Sequence, residues 1–158
     1  MELFHEKIKR IVRSARDLEE MEQMINATLD SIADTDKIAF VAGPITAKTN
    51  LIKKWNRYRL DILTRKIATK ISSERLHVLS CAITPPHLEK YSVANFYDMY
   101  DRISDRGQRL YLTGDWKNSR GAMGEYQRAK KRGIPIFEVK EKFGILPIWF
   151  RKISFLQL

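Results

Sequence analysis

Apolar residues recur every three or four positions through the first 33 residues: Leu3, Ile8, Val12, Leu18, Met21, Met24, Ile25 and Leu29. That spacing puts them on one face of a helix. No Gly or Pro interrupts the stretch, so the pattern predicts one long helix over 2–33. The pattern then changes. Ile38-Ala39-Phe40-Val41-Ala42, entered at Lys37, is a continuous apolar run that meets Gly43-Pro44, as a buried strand meets a turn. Helical spacing returns over 50–72 in a strongly basic setting. Residues 75–83 form a second apolar run, closed by Pro85-Pro86. Residues 94–105 are predicted helical and 109–113 a short strand. Ser119 to Arg132 is a further helix, with Gly133 placed to end it and Pro135 beyond; 134–139 form a fourth strand. The tail from Phe143 is apolar without a clear period.

Strands that alternate with helices predict an α/β fold: a three-layer, Rossmann-like or flavodoxin-like parallel sheet of four or five strands, with an added N-terminal helix. Three segments follow: a helical arm over 1–34, an α/β domain over 35–140 and an apolar tail over 141–158. Two roles stand open for the first helix, a dimerisation arm or an ordinary covering helix. In open parallel sheets, ligands bind beyond the carboxyl ends of the strands, where strand order switches. That rule puts residues 43–49 and 114–121 on one rim.

Composition narrows the partners. The chain suits one domain with a real core. No apolar run reaches the roughly 18–20 residues a membrane span needs, and charges run through the first ten residues where a secretory signal would be apolar. The lone cysteine, Cys81, cannot form an internal disulfide and fits a reducing, cytoplasmic setting. It sits in an apolar run, which favours an inert buried thiol over a nucleophile. The net charge of +10 is uneven: residues 1–34 carry five Lys/Arg against eight Asp/Glu, and the positive excess lies in the remainder. A basic body steers phosphorylated ligands or nucleic acid. Because the cations are dispersed, an anionic small molecule is favoured over a polynucleotide, and no membrane partner is expected.

The loop FVAGPITAKTN first suggests a triphosphate cradle ending in Lys48-Thr49. The glycines such a loop needs fall on Ala42 and Ala47, and Pro44 lacks an N–H. The reading fails on those grounds. Gly43-Pro44 instead turns the chain and lets a ligand approach the backbone closely. The stretch TGDWKNSRGAMGEYQRAKKRGIPIF is more informative. Ser119 is a good helix cap, Gly121 opens the first turn, and Gly121, Glu125 and Arg128 share a helix face. A ligand over that small-residue opening meets the Glu125 carboxylate one turn on, and the helix N-terminus favours an anion.

Ala42-Gly43-Pro44 after the first strand, together with Trp116-x-x-Ser119-x-Gly121-Ala122-x-x-Glu125 heading a late helix and Ala129-x-x-x-Gly133-Ile134-Pro135 after it, resembles the nucleoside 2-deoxyribosyltransferase-like superfamily. The likeness covers about 37–139. It implies cleavage or transfer at the N-glycosidic bond of a nucleoside or nucleoside 5′-monophosphate, with Glu125 as nucleophile. Asp101 is the best match for the acid that protonates or holds the base, with Asp98, Asp105 and Asp115 as rivals. The implied pocket is built from Ala42, Gly43, Pro44, Ile45, Trp116, Ser119 and Gly121, with Arg120, Lys117, Lys48 or Arg128 against a 5′-phosphate. No metal or organic cofactor is implied. Relatives are often dimers with sites near the interface, for which the apolar tail offers a surface. The chain departs from the pattern at Phe40, where the superfamily often has a tyrosine that orients the glutamate, at Gly107-Gln108-Arg109 and at Gly114-Asp115-Trp116. These departures keep open a nucleotide-binding protein without catalysis. The basic 50–72 helix keeps open a nucleic-acid-binding module.

Overall fold

The computed structural model describes residues 2–72, 75–141 and 148–153. Its helices are α1 (Phe4–Ile11), α2 (Leu18–Asp30), α3 (Asn50–Lys70), α4 (Val93–Ser104) and α5 (Arg120–Arg132). Its strands are β1 (Lys37–Ala42), β2 (Leu76–Ser80), β3 (Arg109–Leu112), β4 (Ile136–Lys140) and β5 (Trp149–Lys152). The sheet order is β2-β1-β3-β4-β5. The first four strands are parallel and β5 is antiparallel to β4. This is the Rossmann-like α/β arrangement that the alternation of patterns predicts.

The period of two along each strand sorts the core into two halves. Ile38, Phe40 and Ala42 of β1, with Leu79, Leu110, Leu112 and Ile136, face one side and pack with residues of α1, α2, α4 and α5. Ala39 and Val41, with Leu76, Val78, Tyr111 and Val139, face the other, where Leu60, Leu63 and Ile67 of α3 cover them. The handedness of parallel crossovers explains this split. The chain moves outward from β1 to β2, then returns across β1 to β3 and β4. Reversing direction at constant hand puts α3 on one face and α4 and α5 on the other. The reversal also leaves a crevice at the carboxyl ends of β1 and β3.

The helix expected over 2–33 is two helices. Ala15 takes an extended conformation (φ −62°, ψ 131°), and Asp17 caps α2 by accepting the Glu20 N–H at 2.8 Å. The Glu20 carboxylate accepts the Arg16 N–H at 2.7 Å in return. This reciprocal cap, close to a capping box, begins a new helix without any Gly or Pro. Asp17-Leu-Glu-Glu20 carried that signal, and the continuing apolar spacing hid it. Ile8, Val12, Met21 and Ile25 are fully buried in the same core as the sheet.

α1 lies against β2 and α3. Its seam with α3 centres on Asp61, which is buried and meets His5 Nε2 at 2.9 Å, Lys9 Nζ at 2.8 Å and Arg65 at 2.6 Å. Burial alone would raise the Asp61 pKa. The hydrogen bonds from His5 and Lys9 and the Lys9 charge outweigh it and hold the carboxyl well below its usual range.

Gly133 ends α5 in the left-handed region (φ 67°), as its position predicts. Of the apolar tail expected over 141–158, residues 142–147 and 154–158 lie outside the described residues; β5 is formed within the rest. No helix among the described residues is long and apolar enough to cross a membrane.

Candidate active site

The two strand ends at the switch point are tied together. Thr113, just past β3, donates its N–H to the Ala42 carbonyl at 2.8 Å and its hydroxyl to the same oxygen at 3.1 Å. Gly43 follows immediately. A Cβ there would come within 2.3 Å of Thr113 Oγ1, so the close approach of the two loops requires glycine.

A cleft of about 700 Å³, measured out to open solvent, sits above this tie. Gly43, Ile45 and Thr46 line it from the loop after β1, and Lys53 and Arg57 from α3. Cys81 and Thr84 form part of its floor beyond β2. Phe96, Tyr97, Tyr100 and Asp101 enter from α4, and Ser119, Gly121, Ala122 and Glu125 from α5.

The α5 entrance shows why small residues are needed. Ser119 caps the helix by accepting the Ala122 N–H. A Cβ on Gly121 would lie 2.9 Å from Tyr97 Cε1, so the aromatic ring of α4 rests directly on the first turn. The small residue admits Tyr97 as the wall of the cleft.

Glu125 lies one turn further on, half-buried, and its carboxyl makes no hydrogen bond among the described residues. Burial pushes its pKa up to about 8; the Arg128 charge works against this, while Asp101 and Asp105 add to it. Arg128 is committed elsewhere: it reaches Asp101 at 2.6 Å, Asp105 at 3.1 Å and Ser104 Oγ at 3.0 Å, tying α5 to α4. Burial also raises the Asp101 pKa, and Arg128 opposes that rise. Behind Glu125 a small hollow is lined by Phe40, Ser104 and Asp105 among others, so the ring of residue 40 borders the glutamate without offering a hydroxyl.

A raised carboxyl pKa makes the fold pH-sensitive. Between the ordinary glutamate value and about 8, the unfolded chain has released a proton that folded Glu125 still holds. Stability therefore falls as pH rises through that window. Glu125→Gln removes the effect. The variant is expected to match the parent in Tm near pH 4 and exceed it by about 5–10 °C at pH 9, as scanning calorimetry across pH would show. Equal Tm values at pH 9 would mean that the carboxyl is not held neutral.

The remaining polar groups on the floor are closed off. Burial pushes the Cys81 thiol up to about 12, so it is inert as a nucleophile. Burial likewise raises the Tyr100 phenol, whose hydroxyl lies 2.6 Å from Thr84 Oγ1 and 3.2 Å from the Cys81 carbonyl.

Of the residues expected at the site, Glu125, Asp101, Gly43, Ile45, Ser119 and Gly121 meet in this cleft. Ala42, Pro44 and Trp116 lie elsewhere. Ala42 points into the core as the last residue of β1. Pro44 is turned towards Gly114 and a separate hollow beside α3. Trp116 is buried against Tyr126 and donates its indole N–H to Glu138 at 3.2 Å. Among the rival acids, Asp105 pairs with Arg128 and Asp115 accepts from Asn118. Lys48, Lys117 and Arg120 are not among the lining residues, whereas Lys53 and Arg57 are. Their signal was present as a four-residue spacing on a helix read as generally basic. His87 lies 2.6 Å from the Ala15 carbonyl through Nε2. His5, Glu6 and Asp61 lie close enough to share a metal, but Lys9 and Arg65 already occupy Asp61.

Comparison with family models, with curated proteins and with solved structures finds no match. The fold and the cleft by themselves define a Rossmann-like α/β protein with a carboxyl-bearing hollow at its switch point.

Proposed function

We propose that this protein cleaves the N-glycosidic bond of a nucleoside or nucleoside 5′-monophosphate, with Glu125 as the nucleophile. The observation that carries the proposal is a glutamate without a hydrogen-bond partner among the described residues, facing the cleft at the switch point, with a second carboxylate, Asp101, on the neighbouring helix. Glu125 in its ionised form attacks the anomeric carbon. The bond to the base breaks, and its electron pair leaves on the base nitrogen. Water then hydrolyses the glycosyl ester and frees the sugar. Asp101, steadied by Arg128, holds the departing base and assists its protonation. Tyr97 and Phe96 supply aromatic surface on the same wall for the base. Hydrolysis is favoured over transfer because the basic body suits a phosphorylated substrate.

The attacking form of Glu125 appears only as its proton leaves. Release of free base, followed by chromatography over a panel of nucleosides and their monophosphates, is expected to rise about tenfold per pH unit in kcat/KM and to level off above about pH 8. A flat profile would remove Glu125 from the chemical step. A nucleotide-binding role without catalysis is the second reading, favoured by Phe40, which borders Glu125 without a hydroxyl to orient it. Ligand-dependent thermal stabilisation with no base released would support that reading.

A further inference from the structure

The cleft is bipolar. Its carboxylates come from α4 and α5, and its cations, Lys53 and Arg57, stand one turn apart on α3. Arg57 is largely buried, with 18% of its side chain exposed, and pairs with Glu89 through Nη1. Its Nε is buried and has no hydrogen-bond partner among the described residues. The pair with Glu89 holds the guanidinium charge at the cleft wall, where it attracts an anion. The Lys53 side chain has no ion-pair or hydrogen-bond partner among the described residues. The Cys81 thiol on the floor feels Glu125 and Arg57 with opposite sign, so both charges act on the same hollow. The N-terminal end of α3, capped by Thr49, adds the positive pole of the helix dipole on the same side.

We infer that Lys53 and Arg57 form an anion subsite that receives the 5′-phosphate, so the substrate is a nucleoside 5′-monophosphate rather than a free nucleoside. The inference rests on the proposed glycosidic site and sets which member of its substrate class is taken. Arg57 supplies a positive charge at the cleft wall, its guanidinium held in place by Glu89. Lys53 supplies a second charge that adjusts to the phosphate. The sugar then spans from α3 towards Glu125 across the floor.

The test compares kcat/KM for each 5′-monophosphate with that for its nucleoside, in the parent and in Lys53→Met and Arg57→Lys, with folding checked by circular dichroism. The monophosphate is expected to be preferred by about 100-fold or more, and each variant to reduce that ratio by at least about tenfold. A parent ratio near one, or a ratio unmoved by both variants, overturns the subsite while leaving glycosidic cleavage intact. If no base is released from either substrate, the proposed reaction fails, and binding then decides the subsite. Calorimetric titration with ribose 5-phosphate against ribose should show selectivity for the phosphate that weakens in Lys53→Met. Equal binding of the two sugars overturns the inference.

Discussion

Glu125→Gln is expected to lower the release of free base by at least about 1,000-fold, with nucleotide binding retained. Glutamine keeps the shape and the polar oxygen, but its amide cannot attack the anomeric carbon. The substitution is mild for the fold because the native carboxyl is already held neutral at moderate pH by burial. The readouts are single-turnover base release and the thermal shift produced by substrate. Loss of turnover with the shift preserved assigns the carboxylate to the chemical step. Activity within about tenfold of the parent would place the reacting group elsewhere, because even general acid–base assistance is typically worth ~10²–10⁴-fold. Loss of both readouts would mark Glu125 as a binding group alone.

The largest expected effect on stability lies away from the cleft, at Asp61. Asp61→Ala leaves His5 and the ammonium of Lys9 at the α1–α3 seam without their shared acceptor. Removing one partner from a buried charged network costs about 3–5 kcal/mol, a large part of the roughly 5–15 kcal/mol by which a domain is stable. The expected fall in Tm is about 8–15 °C, with a matching shift in the urea midpoint. The sign with pH is opposite to that of Glu125. The folded pKa of Asp61 is depressed, so its contribution is present above the ordinary aspartate value and is lost as pH falls through the folded pKa. The parent and Asp61→Ala should therefore converge in acid. A loss below about 1 kcal/mol at neutral pH would show that Ile8 and Val12 dock α1 without help from the charges.

Much of this architecture was legible in the chain. A continuous apolar run ending at Gly43-Pro44 has few alternatives to a buried strand meeting a turn, and Gly133 before Pro135 stops a helix for reasons local to those residues. Strand and helix periods differ enough that their alternation selects a parallel sheet, and such a sheet puts its ligand loops at the switch point. Gly43, Ile45, Ser119 and Gly121 were reachable on that basis, Glu125 through the helix face it shares with Gly121, and Asp101 only through the resemblance; all six line the cleft. The break between α1 and α2 was also written locally, in Asp17 and Glu20, but periodicity outweighs a cap when apolar positions continue on both sides.

What the sequence determined by itself, then, is the type and order of the first four strands and the helices between them, and the rim on which the cleft opens, since these follow from periods and turn chemistry within a few residues. Only the tertiary structure decided which charges face the cleft. Lys53 and Arg57 line it, while Lys48, Lys117 and Arg120 do not, because the crossover and the rotation of each helix about its axis set the direction of every side chain. The structure alone also set the state of Glu125. A carboxyl's pKa depends on what excludes water from it and which charges stand nearby, and here those are groups from α4 and α5 that the fold brings together.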